Sequence, residues 1–160
     1  MGNFSHFDES GASRMVDVGQ KPISRRVARA TAQIRMQPAT LRSILDQRVE
    51  KGDVLEVARL AGIQAAKRTG ELIPLCHPLA IDAVTLDFTS TDDRSIAIQA
   101  VVSVEAKTGV EMESLTAVSV AALTIYDMCK SADRSMHIEQ IQLEEKSGGR
   151  SGTWQRENQL

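Results

Sequence analysis

The segment from about Ser114 to Ser131 constrains the fold more than any other part of the chain. Leu115, Val118, Val120, Ala121, Ala122, Leu123, Ile125 and Met128 recur at helical spacing but cover most of the helix circumference. A helix that is apolar nearly all round is buried on more than one side. In a chain of 160 residues the second burying surface is more easily supplied by another subunit.

Strands supply the first surface. Ala28, Ala30, Ala32, Ile34 and Met36 alternate with Arg29, Thr31, Gln33 and Arg35, a strand over 27–36 with one buried face. Val84, Leu86 and Phe88, then Ile96, Ile98, Ala100, Val102 and Val104, repeat the pattern on either side of a turn at Thr91-Asp92-Asp93, which predicts a hairpin. A last strand over 136–143 slips from even to odd spacing between Ile138 and Ile141, the sign of a bulge. Between the first strand and the hairpin, Pro38 ends the strand, a short helix follows around Leu41 to Gln47, and Lys51-Gly52 turns. Asp53 and Glu56 then form a capping box for a helix running to Lys67-Arg68, with Gly70 in the left-handed position beyond it. The two prolines of Leu72-Ile73-Pro74-Leu75-Cys76-His77-Pro78 make a stiff loop. The order predicts an α+β fold, a ferredoxin-like antiparallel sheet with helices packed on one face. The length fits one domain: a flexible arm over 1–24, a catalytic domain over 25–146, and a Gly/Ser-rich loop and tail over 147–160. In the arm, Met15-Val16-Asp17-Val18 is apolar enough to dock on a neighbouring surface.

Nineteen Lys and Arg against 21 Asp and Glu give no global field that would attract nucleic acid. No apolar run reaches the ~20 residues of a membrane helix. The Met1-Gly2 opening lacks the Ser or Thr that a myristoylation signal places sixth, where His6 stands. Two cysteines, Cys76 and Cys129, and no leader pattern fit a cytoplasmic protein without a disulfide scaffold.

Chemistry concentrates in three places: Lys51-Gly52-Asp53 with the later Leu75-Cys76-His77-Pro78, Lys107 through Glu113 with Tyr126 through Lys130, and Lys146 through Gly152. Asp127 and Lys130 share a helix face in an apolar stretch; they read either as an ordinary ion pair or as an acid and amine tuned by partial desolvation for proton transfer. Glu111 and Glu113, entering the long helix beside Met112, either favour its positive end or grip the N–H edge of a guanine-like base. Cys76-His77 does not match zinc-ligand spacings, and with only His6, His77 and His137 in the chain no metal is expected. His77 between prolines suits a hydrogen-bond donor to substrate, with a purely structural loop as the alternative. Lys146-Ser147-Gly148-Gly149-Arg150-Ser151-Gly152 reads as an anion cradle or as a flexible tail, and it is not a P-loop.

Met15-Val16-Asp17-Val18, Lys51-Gly52-Asp53-Val54, the run from Ala61 through Pro78, the run from Lys107 through Lys130, and Lys146-Ser147-Gly148-Gly149 together resemble the MoaC family, over roughly residues 14–153. The resemblance implies a ferredoxin-like fold in a homohexamer, a trimer of dimers, with sites between subunits. It also implies a lyase of molybdenum-cofactor biosynthesis that turns 3',8-cyclo-7,8-dihydroguanosine 5'-triphosphate into cyclic pyranopterin monophosphate with loss of pyrophosphate, and needs no cofactor. The functional positions it implies are Lys51, His77, Glu111, Glu113, Asp127, Lys130 and Lys146, with Cys76 and Met112 adjoining the substrate. Arg150 departs from the expected lysine, which keeps the charge but alters phosphate geometry. If Glu113 and Asp127 lie on one helix they stand ~21 Å apart, so a composite site draws them from different chains. Two rivals remain: a non-catalytic nucleotide-binding oligomeric scaffold, and a thiol enzyme using Cys76.

Overall fold

The structure, a computed structural model, describes residues 10–150 and 152–157. The readings of Met1-Gly2, His6 and Ser151 lie outside those residues. Five strands form one antiparallel sheet: β1 (Ser24–Arg35), β2 (Ala83–Ser90), β3 (Ser95–Ala106), β4 (His137–Ser147) and β5 (Trp154–Gln155), in the order β2-β3-β1-β4-β5. The four long strands have the ferredoxin-like arrangement, and β5 adds a short edge. Helices α1 (Pro38–Leu45), α2 (Val54–Lys67), α3 (Thr69–Leu72) and α4 (Glu111–Cys129) complete the chain. The core joins Ala30, Ala32 and Ile34 of β1 and Ile96, Ile98 and Ala100 of β3 to Val118, Ala121, Ala122 and Ile125 of α4. The opposite sheet face is polar, carrying Arg29, Thr31, Gln99, Glu144 and Glu145.

The helix α4 is buried on two sides within the chain itself. It packs on β1, β3 and β4 below and on α2 beside it. The expectation that another subunit supplies the second surface is therefore corrected for most of the helix. The sequence hid this because α2 makes its approach with small residues. A side chain on Gly62 would run into Leu86 and come within 3.0 Å of the Ala117 carbonyl, so only a glycine lets the two helices come this close. Leu123 of α4 and Leu60 of α2 still stand more than half exposed.

Three further expectations are corrected. The long helix starts at Glu111 rather than near Ser114, so Glu111 and Glu113 lie in its first turn. Gly70 does not reverse the chain after α2; it belongs to α3, which continues directly from the cap residue Arg68. The capping box is half formed: Asp53 accepts from the Glu56 N–H, while the Glu56 side chain turns to Arg59 instead.

The slip in β4 is real and occurs twice. Gln33 faces Glu139 but Thr31 faces Gln142, with Gln140 at φ 55°; then Ala30 faces Leu143 but Arg29 faces Glu145. Because strand side chains alternate, each extra residue flips everything after it to the other face. The second bulge leaves Glu144 and Glu145 both on the polar face, where they meet Thr31 and Arg29. It thereby turns Lys146, paired with Ala28, toward the helices.

Candidate active site

Helix α4 carries functional groups at both ends, fourteen residues apart from Glu113 to Asp127 on one unbroken helix, or ~21 Å. The residues singled out from sequence divide cleanly between the two ends.

The N-terminal end is a pocket. Because the second β4 bulge aims Lys146 inward, its Nζ reaches Glu111 Oε1 at 2.8 Å. A cavity of about 500 Å³ opens here, lined by Lys21, Arg26, Lys107, Lys146 and Arg150, with Glu111 as the one carboxylate among the described residues. Gly148 and Gly149 both have positive φ, and a side chain on Gly149 would collide with the Arg26 guanidinium. The glycines thus let the loop close directly over a cation. Arg26 donates to the Lys107 carbonyl, yet its Nε and the Ser24 hydroxyl are buried with no partner among the described residues. A second cavity of about 380 Å³ adjoins the first through Lys21, Thr108, Gly109 and Glu111, and is lined by Cys76, His77, Met112 and Glu113. Val16 and Val18 close one side of it, and the Lys107 ammonium holds that segment by donating to the Gly19 carbonyl at 2.6 Å.

Glu113 is 4% exposed. Burial pushes its carboxyl above the ordinary range, and the Glu111 charge adds to the rise against the pull of its own backbone N–H. Burial likewise pushes the Cys76 thiol up, reinforced by Glu113 and then Glu111. A thiol held protonated by burial, beside two carboxyl groups, is a poor nucleophile, which argues against the Cys76 rival. The N-cap of α4, Val110, makes no side-chain cap bond, and in the first turn the Glu113 N–H is met by its own carboxyl group.

The C-terminal end is a surface. Lys130 Nζ lies 2.6 Å from Asp127 Oδ1, with the two side chains 52% and 63% exposed. Lys51, delivered by the loop after α1, donates to the Asp127 carbonyl at 3.0 Å, where the negative end of the helix favours a cation. A concavity of about 630 Å³ beside it is lined by Lys51, Thr40, Met128, Cys129 and Ser131. The hydrogen bond from Lys130, and then its charge, hold the Asp127 carboxyl below the usual range, and the same bond and charge raise Lys130. In the single chain the pair is thus an ordinary exposed ion pair, with both groups shifted away from neutrality.

The structure therefore brings Cys76, His77, Glu111, Met112, Glu113 and Lys146 together, and separately Lys51, Asp127 and Lys130. It does not bring the two sets to one place. Sequence reading missed Lys21 and Arg26 as lining residues, and singled out Lys107 only as part of the segment entering α4. Arg26 has the parity of Ala28 and so lies on the helix-facing side of β1, a signal that was lost by starting the strand at Val27. Among the described residues no group of three or more His, Cys, Asp or Glu side chains is placed to hold a metal ion, and no helix is long and apolar enough to cross a membrane.

Comparison with known proteins places these features in a lineage. The profile of the MoaC family matches residues 15–149. The chain is 59% identical over 152 residues to cyclic pyranopterin monophosphate synthase 1 of Mycobacterium tuberculosis (strain ATCC 25618 / H37Rv), covering 95% of this chain and 89% of the relative. It is 56% identical over 159 residues to cyclic pyranopterin monophosphate synthase of Thermomicrobium roseum, covering 99% and 96%. It is 60% identical over 160 residues to the protein of that name from Magnetococcus marinus, covering 99% and 98%.

Proposed function

Since this chain belongs to the MoaC family, we infer that it is an enzyme of molybdenum-cofactor biosynthesis, a cyclic pyranopterin monophosphate synthase acting on 3',8-cyclo-7,8-dihydroguanosine 5'-triphosphate. The observation that carries the reading beyond kinship is the pairing of adjoining cavities at the start of α4. One is cationic and suits a polyphosphate; the other carries buried and half-buried carboxylates with His77 and suits a base and sugar.

On this reading Glu111, Glu113 and His77 orient the guanine-derived rings, and Cys76 and Met112 wall the same cavity. Lys146 binds the triphosphate, and to do so it exchanges its bond to Glu111 for bonds to phosphate oxygens. Asp127 and Lys130 move protons while the imidazole-derived ring opens and the pyrazine ring closes. In the last step a ribose-derived hydroxyl loses its proton to a base and forms an O–P bond to the α-phosphate. The bond from that phosphorus to the bridging oxygen breaks, and pyrophosphate leaves with the electron pair, its charge met by Lys51 and Lys146. This is lyase chemistry at a P–O bond and calls for no organic cofactor.

Asp127, Lys130 and Lys51 come to this cavity from a second copy of the chain, because one rigid helix holds them too far from Glu113 to share a nucleotide. A homohexamer built as a trimer of dimers satisfies that need, with residues 25–146 as the catalytic domain between an arm (1–24) and a tail (147–160), whose Lys21 and Arg150 line the phosphate cavity. The neighbouring copy also covers Asp127 and Lys130, which brings the pair's protonation energies closer together than in the single chain. A cytoplasmic location fits such a biosynthetic step.

The direct test incubates purified protein with the cyclic triphosphate and follows pyrophosphate and the tricyclic pterin together. Equimolar appearance of both is expected. Tight binding without pyrophosphate release would instead identify a nucleotide-binding scaffold.

A further inference from the structure

Asp133 lies three residues past Lys130 and has no place in the proposed machinery, yet it is 5% exposed and both its oxygens are engaged. Oδ2 accepts from the Gln37 N–H at 2.7 Å and from the Thr40 hydroxyl at 3.2 Å. Oδ1 accepts from the N–H and the hydroxyl of Ser135, at 3.0 and 2.6 Å. Gln37 and Thr40 are the N-cap and third residues of α1, the two positions that a capping box joins directly. Gln37 makes no side-chain cap bond, so a carboxylate from the far side of the chain stands in the gap. Burial opposes its charge, but the bonds from Gln37, Ser135 and Thr40 prevail and hold its carboxyl below the ordinary range.

The clamp joins the two segments that carry the C-terminal half-site. Lys51 sits on the loop leaving α1, and Lys130 opens the turn leaving α4, where the N–H groups of Ala132 and Asp133 both donate to the Cys129 carbonyl. Between the segments lies the concavity lined by Thr40, Lys51 and Met128. Among the described residues the one other side-chain bond between the start of α1 and that turn is the contact of 3.4 Å from the Gln37 amide to the Ser135 hydroxyl.

We propose that Asp133 is a positioning residue for the reaction, holding α1 and the turn after α4 together so that Lys51 stays in register with the Asp127–Lys130 pair. The role rests on the proposed function. A carboxylate of merely structural importance would affect how much protein is folded, not the rate of the folded molecules.

Asp133→Asn separates the two. Asparagine keeps the shape but presents an NH2 donor to a neighbouring donor, so one side of the clamp opens. The expected result is a kcat for pyrophosphate release at least about tenfold lower with KM within about threefold, since misplacing a reacting group mainly affects the chemical step. A comparator, Leu86→Val in the core beneath α2, keeps kcat within about twofold even where its thermal midpoint falls as far. If Asp133→Asn does not fold, Thr40→Val, which removes one bond of the clamp, is read in the same way with a smaller loss in kcat. Undiminished kcat in the folded variant, or a loss no greater than the comparator's, overturns the role alone. Absence of pyrophosphate release by the wild type overturns the functional reading and this role with it.

Discussion

The two ends of α4 differ as a finished pocket differs from an open surface. At the N-terminal end Glu113 is buried, Lys146 is locked to Glu111, and three chain segments converge over a cationic cavity. At the C-terminal end the Asp127–Lys130 pair lies more than half exposed, steadied by Lys51 on a helix carbonyl. An exposed ion pair contributes little to stability, and in water neither group is poised to exchange protons near neutrality. On the proposed function the difference teaches that recognition is preorganised in the single chain while proton transfer is not, the second end acquiring its chemistry when another copy covers it.

The largest effect that would sharpen this contrast is at Lys130. Lys130→Ala removes the proposed proton carrier and is expected to lower pyrophosphate release by about 10³-fold or more, with the oligomer unchanged in size-exclusion chromatography. Near-normal turnover would break the comparison, leaving the exposed pair with no catalytic part. Next, Lys146→Ala is expected to reduce kcat/KM by about 10²-fold, mainly through weaker binding.

Glu113→Gln tests the buried end through stability. The carboxyl is raised by burial, so the folded state keeps its proton over a range where the unfolded chain has lost it. The native protein is then penalised as pH rises through the unfolded value, and below pH about 4 both states are protonated and the penalty vanishes. The variant should melt higher than wild type at neutral pH, by a few degrees for about 1 kcal/mol, and equally at acid pH, although its activity falls. A lower melting temperature at neutral pH would mean that Glu113 is held by partners rather than merely buried. The smallest effect is expected at Cys76, where Cys76→Ser should leave turnover within about threefold, because the thiol only lines the cavity.

What could be read beforehand follows the same division. The alternation of Ala28, Ala30, Ala32 and Ile34 and the hairpin pattern were visible because one face of the sheet is apolar and the other polar. The first β4 bulge betrayed itself through Ile138 and Ile141. The second did not, since Glu144, Glu145 and Lys146 are all charged and no apolar residue marks the slip, so the direction of Lys146 was invisible. The site residues were legible as motifs, and Glu113 and Asp127 could be set at opposite ends of α4, but which end Cys76, His77 and Lys146 adjoin followed only from the fold. Asp133 escaped notice because its partners Gln37 and Thr40 lie more than ninety residues away in sequence.

The central claim is that the two ends of α4 work together only across chains, and mixing two inactive variants tests it most directly. Lys130→Ala and Lys146→Ala chains are unfolded, combined in equal amounts and refolded, and pyrophosphate release is measured at substrate well below KM, where both parents are nearly silent. If each site takes Lys146 from one chain and Lys130 from another, about a quarter of the sites regain both residues, and activity returns to about a quarter of wild type. Mixed oligomers that form fully yet remain as inactive as either parent would contradict the account.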